Sequence, residues 1–166
     1  MSSLINEKLY NKKIIKIMLK IEPENIDNNI DNTLIQKLIN KVSGKCIEDG
    51  LVKEGSIKIL NRDNGTIRLS DLNGNIYFNI QYTASFCNPF QNQQIECIVL
   101  EINKTTVVAY IEDKDKSPLN IFLTKQHHMN DEKYVNLKIN DTIIIDVLFK
   151  KYEFNDDQII VFGKLN

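Results

Sequence analysis

Cysteine is scarce in this 166-residue chain and odd in number: Cys46, Cys87 and Cys97, with no CxxC spacing. That excludes a disulfide framework and points to a reducing intracellular setting. No apolar run approaches the roughly 18 residues of a membrane span. The opening Met1-Ser-Ser-Leu-Ile-Asn-Glu-Lys lacks the apolar core of a signal peptide. There is no phosphate-cradling Gly-rich loop, no HExxH and no GxSxG, so an enzymatic reading finds no motif to stand on. No cofactor is implied either. Acidic residues gather in turn-like places, Glu112-Asp113, Asp131-Glu132 and Asp156-Asp157, where charge solubilises and protects edges.

A dominant sign of charge is also missing. The net charge is −1. Residues 1–91 hold 12 basic and 10 acidic side chains, and residues 92–166 hold 9 basic and 12 acidic. Tight, sequence-independent nucleic-acid binding normally neutralises many phosphates. Any such contact by the second half is therefore expected to be weak and local. Lys outnumbers Arg 19 to 2, and Ile (26) and Asn (21) are abundant, a bias that fits an AT-rich genome.

What is present is strand pattern. Lys12–Ile21 alternates Ile14, Lys16, Met18 and Lys20 with Ile15, Ile17, Leu19 and Ile21, a strand with one partly solvated face. A polar stretch follows, and Asp31 or Asn32 is placed to cap a helix over Thr33–Lys41. Its Leu34, Ile35, Leu38, Ile39 and Val42 fall at helical spacing, and Ser43-Gly44 ends it. Strand-like pieces come next at Lys45–Glu48, Ser56–Leu60, Thr66–Leu69 and Asn75–Tyr82. Asn61–Gly65 and Asp71-Leu-Asn-Gly74 separate the last three, both ending in the Asn-Gly pair that marks hairpins.

Beyond Asn88-Pro-Phe90, five further runs read as strands that close on one another: Gln94–Ile102, Thr105–Ile111, Leu119–Leu123, Thr142–Lys150 and Gln158–Lys164. In the fourth, Ile143, Ile145, Val147 and Phe149 share one face by alternation, with Asn140 before it at a left-handed turn position. The expected fold is thus an α+β domain over residues 1–88 followed by an all-β, five-stranded OB-type barrel over 89–166, an architecture that commonly grips single-stranded nucleic acid. Tyr110 and Tyr152 are candidate stacking faces, with Lys104, Lys125, Lys150 and Lys151 for phosphates. Phe122 and Phe154 either stack on bases or fill the barrel core. His127-His128 reads as a surface loop and not as a metal site, since adjacent strand histidines point to opposite faces.

The order of features resembles a known family. Val42-Ser-Gly-Lys-Cys46, Gly50-Leu-Val, Tyr82-Thr-Ala-Ser-Phe86 and Asn88-Pro-Phe90 are similar to the first domain and junction of the larger stalk subunit of multisubunit DNA-dependent RNA polymerases. That is the seventh-largest subunit of eukaryotic polymerase II, together with its archaeal counterpart. Ile95–Tyr110, Ile121-Phe-Leu-Thr-Lys125, Asn140-Asp141 and Ile159–Leu165 resemble its ribosomal-S1-type barrel. Together these cover residues 12–166.

The resemblance implies a non-catalytic subunit. Its first domain would plug into the polymerase core near the clamp, with Asn61, Arg62, Asn64, Gly65, Asn73 and Gly74 as docking residues. A smaller stalk subunit would pack across both domains, and the barrel would touch nascent single-stranded RNA. A divergent version of this kind suits a large DNA virus, placing it in the virion and host cytoplasm, or in the nucleus if cellular. One departure is Asn103-Lys104, where such barrels usually carry Gly; Asn is expected to take the left-handed backbone there. Two alternatives stand beside this reading: a free-standing RNA-binding barrel, and a structural adaptor without nucleic-acid contact.

Overall fold

The computed structural model describes residues 4–129 and 131–166. After a short helix α1 (Leu4–Glu7) come β1 (Tyr10–Ile21), α2 (Ile30–Val42), β2 (Cys46–Ile47), β3 (Gly50–Val52), β4 (Lys58–Arg62), β5 (Thr66–Ile67) and β6 (Ile76–Cys87). Then follow β7 (Gln94–Ile102), β8 (Thr106–Tyr110), β9 (Leu119–Thr124), α3 (Glu132–Val135), β10 (Thr142–Lys151) and β11 (Ile159–Leu165). The chain forms two compact units that interleave in sequence. The barrel unit gathers the segment ending at Asn11, Lys45–Leu51 and Cys87–Asn166, and the sheet unit holds Lys12–Gly44 and Val52–Phe86. A single boundary after residue 88 does not describe this interleaving.

In the barrel unit, β7, β8, β9, β11 and β10 close in that order, antiparallel except where β11 runs parallel to β9. This mixed five-stranded closure is consistent with an OB-fold. Inward positions alternate along the regular stretch of each strand: Ile95, Cys97 and Val99; Val107 and Ala109; Leu119, Ile121 and Leu123; Ile143, Ile145 and Val147; Ile159 and Val161. Leu9, Cys46, Leu51 and Cys87 join the same core. That is why the barrel unit recruits the early segments. Asn6 fixes the first of them to the barrel wall, its Nδ2 donating to Glu96 O (2.8 Å) while its Oδ1 accepts from Glu96 N–H (3.1 Å).

Two expectations about the barrel fail. Alternation puts Phe149 inward with Ile143, Ile145 and Val147, but a β-bulge separates Val147, paired with Gly163, from Phe149, paired with Phe162. The extra residue, Leu148, shifts the alternation by one. Phe149 therefore faces out, at 51% exposure, and Lys150 takes the inward side opposite buried Val161. At the β7–β8 turn, Asn103 closes the loop by donating its N–H to Thr106 O (2.9 Å). Among the described residues, the non-Gly residues with positive φ are Asn92, Glu112, Asn140 and Asn155, so Asn103 does not take the left-handed backbone, whereas Asn140 does, at φ 71°.

In the sheet unit, α2 is capped by Asn29, whose side chain accepts from Asn32 N–H, and not by Asp31 or Asn32. The capping side chain sits three residues before the N–H it satisfies, which favours the earlier of several Asn/Asp candidates. Leu34, Leu38 and Val42 of α2 are buried with Leu19, Ile21, Phe78, Ile80, Tyr82, Ala84 and Phe86.

Asn64-Gly65 does not make a β4–β5 hairpin. Both strands pair antiparallel with β6, β4 through Lys58↔Thr83 to Arg62↔Ile80 and β5 through Thr66↔Tyr77. They are two stretches of one edge, interrupted at Asp63–Gly65. Gly65 has φ 81°, and a Cβ there would lie 2.7 Å from Ile76 Cγ2 and 2.8 Å from Phe78 Cε1. The interruption thus requires glycine on two grounds. β3 lies outside the strand-like runs read from the sequence, and β6 continues five residues past the expected end at Tyr82.

Candidate functional site

On the outer wall of the barrel the bulge assembles an aromatic ladder. Phe149 of β10 stacks on Phe162 of β11 (ring centroids 4.4 Å, interplanar 16°), and Phe162 packs on Phe122 of β9 (5.7 Å, 30°). Cross-strand register extends this row to Val108 of β8, paired with Phe122. The neighbouring outward row runs Tyr110, Asn120, Ile160, Lys151, each paired with the next. Two expected site residues, Tyr110 and Lys151, are thus brought to one face, two residues along their strands from the ladder.

The remaining barrel candidates lie elsewhere. Lys104 and Lys125 are exposed at the end of the barrel where Lys125 N–H donates to Thr105 O (2.9 Å). Lys150 does not face solvent phosphates: its Nζ donates to Asn88 Oδ1 and to Pro89 O (2.7 Å), pinning the chain that enters the barrel. Tyr152 is half-buried against the barrel core and its hydroxyl donates to Glu48 O (3.2 Å). Both are bracing residues. Phe122 is on the wall and not in the core, and Phe154 is 69% exposed in the β10–β11 loop.

Sequence reading missed Phe149 and Phe162 as site residues. Phe162 shows a signal, lying between inward Val161 and Gly163, whereas Phe149 becomes visible only once the bulge is known.

His127 is exposed, but His128 is buried at 3% exposure, which corrects its reading as a surface-loop residue. Its Nε2 accepts from Leu165 N–H (2.8 Å), so the ring proton sits on Nδ1 and donates to Thr124 O (2.7 Å). The ring stacks on Tyr134 (4.4 Å, 13°), whose hydroxyl donates to Leu123 O (3.0 Å). Both ring nitrogens are committed, Nε2 to the last strand and Nδ1 to the end of β9. Among the described residues, no three His, Cys, Asp or Glu side chains gather as a metal site.

In the sheet unit, two aspartates shape the segment that contains the expected docking residues. Asp63 Oδ1 accepts from the backbone N–H of Gly65 (3.0 Å) and Asn79 (3.1 Å), and Oδ2 accepts from Asn79 Nδ2 (2.6 Å). This carboxylate replaces the ladder bonds lost between β4 and β5. Asp71 Oδ1 accepts from Asn73 N–H (3.1 Å), and Oδ2 from Asn75 Nδ2 (2.8 Å) and Tyr77 OH (2.6 Å). The Asn79 amide holds the Asp63 carboxyl below the usual range, and the Tyr77 hydroxyl does the same for Asp71.

Asn61, Asn64, Asn73 and Gly74 are at least partly exposed. Arg62 instead turns to α2, ion-paired with Asp31, with Nη1 donating to Asp63 O (3.0 Å) and the guanidinium 5.8 Å from the Phe78 ring centre. Gly65 is enclosed by Ile76 and Phe78. Leu69 is 100% and Leu72 95% exposed on the loop that Asp71 rigidifies, with Ile67 close by in sequence at 66%. A braced loop carrying bare leucines is a surface suited to an apolar partner.

No helix among the described residues is long and apolar enough to cross a membrane. Compared with models of known protein families and with characterised proteins, the sequence matches none of them.

Proposed function

We propose that this chain is a non-catalytic stalk subunit of a multisubunit DNA-dependent RNA polymerase. It acts by docking and not by chemistry. The sheet unit serves as the tip that inserts into the core near the clamp, and the S1-type barrel contacts nascent RNA with a smaller stalk subunit as its companion. The observation that carries the reading is the braced loop bearing Leu69 and Leu72, bare apolar side chains held out by a fully bonded aspartate. Exposed leucines on a fixed scaffold favour a permanent protein partner.

On the barrel, the surface suited to RNA is the Phe122–Phe162–Phe149 ladder with Tyr110 and Lys151 beside it. Base stacking on an aromatic is worth on the order of 1–3 kcal/mol.

Affinity capture of the tagged protein from its native source, with co-purifying chains identified by mass spectrometry, tests the proposal. Large polymerase subunits plus one small chain in near-equal amount are expected, and Leu69→Ser/Leu72→Ser should lose the large subunits. Recovery of RNA or ribosomal proteins without polymerase overturns it in favour of a free-standing RNA-binding barrel.

A further inference from the structure

The charge of the chain is divided unevenly between its two units. Lys12–Gly44 and Val52–Phe86 hold ten basic and seven acidic side chains; the rest of the chain holds eleven basic and fifteen acidic. The sheet unit is thus positive and the barrel unit negative, a contrast stronger than a cut after residue 91 suggests.

The positive charge is concentrated on one face. β1 turns Ile15, Ile17, Leu19 and Ile21 inward and leaves Lys12, Ile14, Lys16, Met18 and Lys20 exposed on the other side. Cross-strand register adds Lys58, paired with Thr83, and Asn61, paired with Gln81, to that same face. Arg68 lies over it from the other end, 4.3 Å from the Tyr77 ring centre, with Nη2 against Met18 Sδ (2.9 Å). Five cations therefore share one open sheet face, and a groove lined by Lys16, Met18, Asn61, Asp63, Asn79 and Gln81 runs through it.

The acids nearby offset only part of this charge. Asp63 in the groove and Asp71 near Lys20 are kept ionised by amide donors and, for Asp71, the Tyr77 hydroxyl, and two carboxylates stand against the five cations. Glu22 is bound by Lys37 at 2.6 Å and touches Lys20 only at 3.8 Å. Among the described residues, Lys12, Lys16 and Lys58 have neither an ion pair nor a side-chain hydrogen bond.

We infer that this face of the sheet unit carries the salt-dependent, phosphate-binding part of the chain's intrinsic affinity for single-stranded nucleic acid, to which the acidic barrel adds only stacking. The pattern along β1 is cation, apolar, cation, apolar, cation. Lys12, Lys16 and Lys20 recur about 13 Å apart at ~3.3 Å per residue, with Ile14 (61% exposed) and Met18 (41%) between them. Such a row tracks a sugar–phosphate backbone with its ammonium groups and offers apolar side chains to the bases. The amides of Asn61, Asn79 and Gln81 add donors and acceptors for base edges. A duplex presents its bases edge-on within grooves that a flat sheet face does not enter, so the occupant is a single strand.

The purified chain tests this without any polymerase present, so its outcome is separate from that of the capture experiment. Fluorescein-labelled oligo(U) and oligo(dT) of about 12 nucleotides are titrated by anisotropy at ionic strengths from about 50 to 200 mM. Binding that weakens steeply with salt is expected. Lys12→Glu/Lys16→Glu/Lys58→Glu should lose at least about tenfold in affinity and reduce the log–log salt slope by about 2, at ~0.7 per phosphate contact. Lys138→Glu/Lys164→Glu, at exposed barrel-unit positions away from the aromatic ladder, should leave the slope unchanged. Should the glutamate variant fail to fold, the Lys→Gln version reads the same quantities. Absence of binding by the unmodified chain at about 50 mM salt, or loss of slope in the barrel variant alone, overturns the inference.

Discussion

Phe149 stacks on Phe162 across β10 and β11 because a single extra residue, Leu148, precedes it in the strand. Without the bulge, Phe149 would point into a barrel interior already filled by Ile145, Val147 and Val161. The bulge thus converts one core position into a surface position and joins three phenylalanines from three strands. A double-mutant cycle on Phe149→Ala and Phe162→Ala, read by urea denaturation, should give a coupling of about 0.5–1.5 kcal/mol, the range for stacked aromatic pairs. No coupling would mean that the rings are independent in solution.

Gly163 faces the other side of the same bulge. A Cβ there would lie 2.6 Å from Ile145 Cδ1 and 3.3 Å from Leu123 Cδ2. Gly163→Ala should therefore cost about 1–3 kcal/mol by overpacking. Ile145→Val removes the atom that collides, so the double variant should be more stable than the sum of the two single effects. Strict additivity in thermal or urea melts would contradict the steric account.

His128, in the 3₁₀ turn Lys125–His128, ties the end of β9 to the last strand, with Nδ1 on Thr124 O and Nε2 on Leu165 N–H. His128→Leu keeps an apolar side chain over Tyr134 but leaves Leu165 N–H and Thr124 C=O without their partner. Each stranded group should cost about 1–3 kcal/mol. Hydrogen exchange at Leu165 should accelerate more than exchange in the middle of β9. Equal acceleration at the two places would show that His128 acts on the whole barrel and does not lock the terminus specifically.

The sheet unit should weaken in acid through identified carboxylates. Lys37 holds Glu22 down to about 2 from an ordinary 4.5, and Asp31, Asp63 and Asp71 are also lowered, by Arg62, Asn79 and Tyr77 respectively. A carboxylate with a depressed folded-state value adds stability that is fully present above its unfolded value and is lost as pH falls through the folded one. The urea midpoint should therefore hold steady above about pH 5 and decline toward pH 2. Glu22→Gln should lower the midpoint at neutral pH and flatten the acid decline. A decline of unchanged steepness in that variant would exclude Glu22 as a contributor.

Much of the architecture was legible in the chain. The barrel strands follow from period-two runs of Ile, Val and Leu broken by turn residues, because a half-buried strand needs apolar side chains on one face only. The helix expected over Thr33–Lys41 and found at Ile30–Val42 follows from the spacing of Leu34, Leu38 and Val42, and the left-handed turn at Asn140 from the tolerance of asparagine for that backbone. Tyr110 lies on the outward side of β8, as its place after inward Ala109 implies.

Only the tertiary structure decided the rest. Alternation specifies a face only relative to its neighbours, so one bulged residue reverses every assignment beyond it; that reversal sent Phe149 out and Lys150 in. The partner of a strand is likewise absent from its local pattern. Asn64-Gly65 carries a hairpin signature, yet β6 is long enough to pair with both β4 and β5, and Asp63 closes the gap between them. The burial of His128 depends on Leu165 and Tyr134, a strand and a helix away. Local sequence sets periodicity and turn chemistry because these are properties of neighbouring residues. Register, pairing and side-chain partners are fixed by contacts between residues far apart in the chain, and those exist only once it has folded.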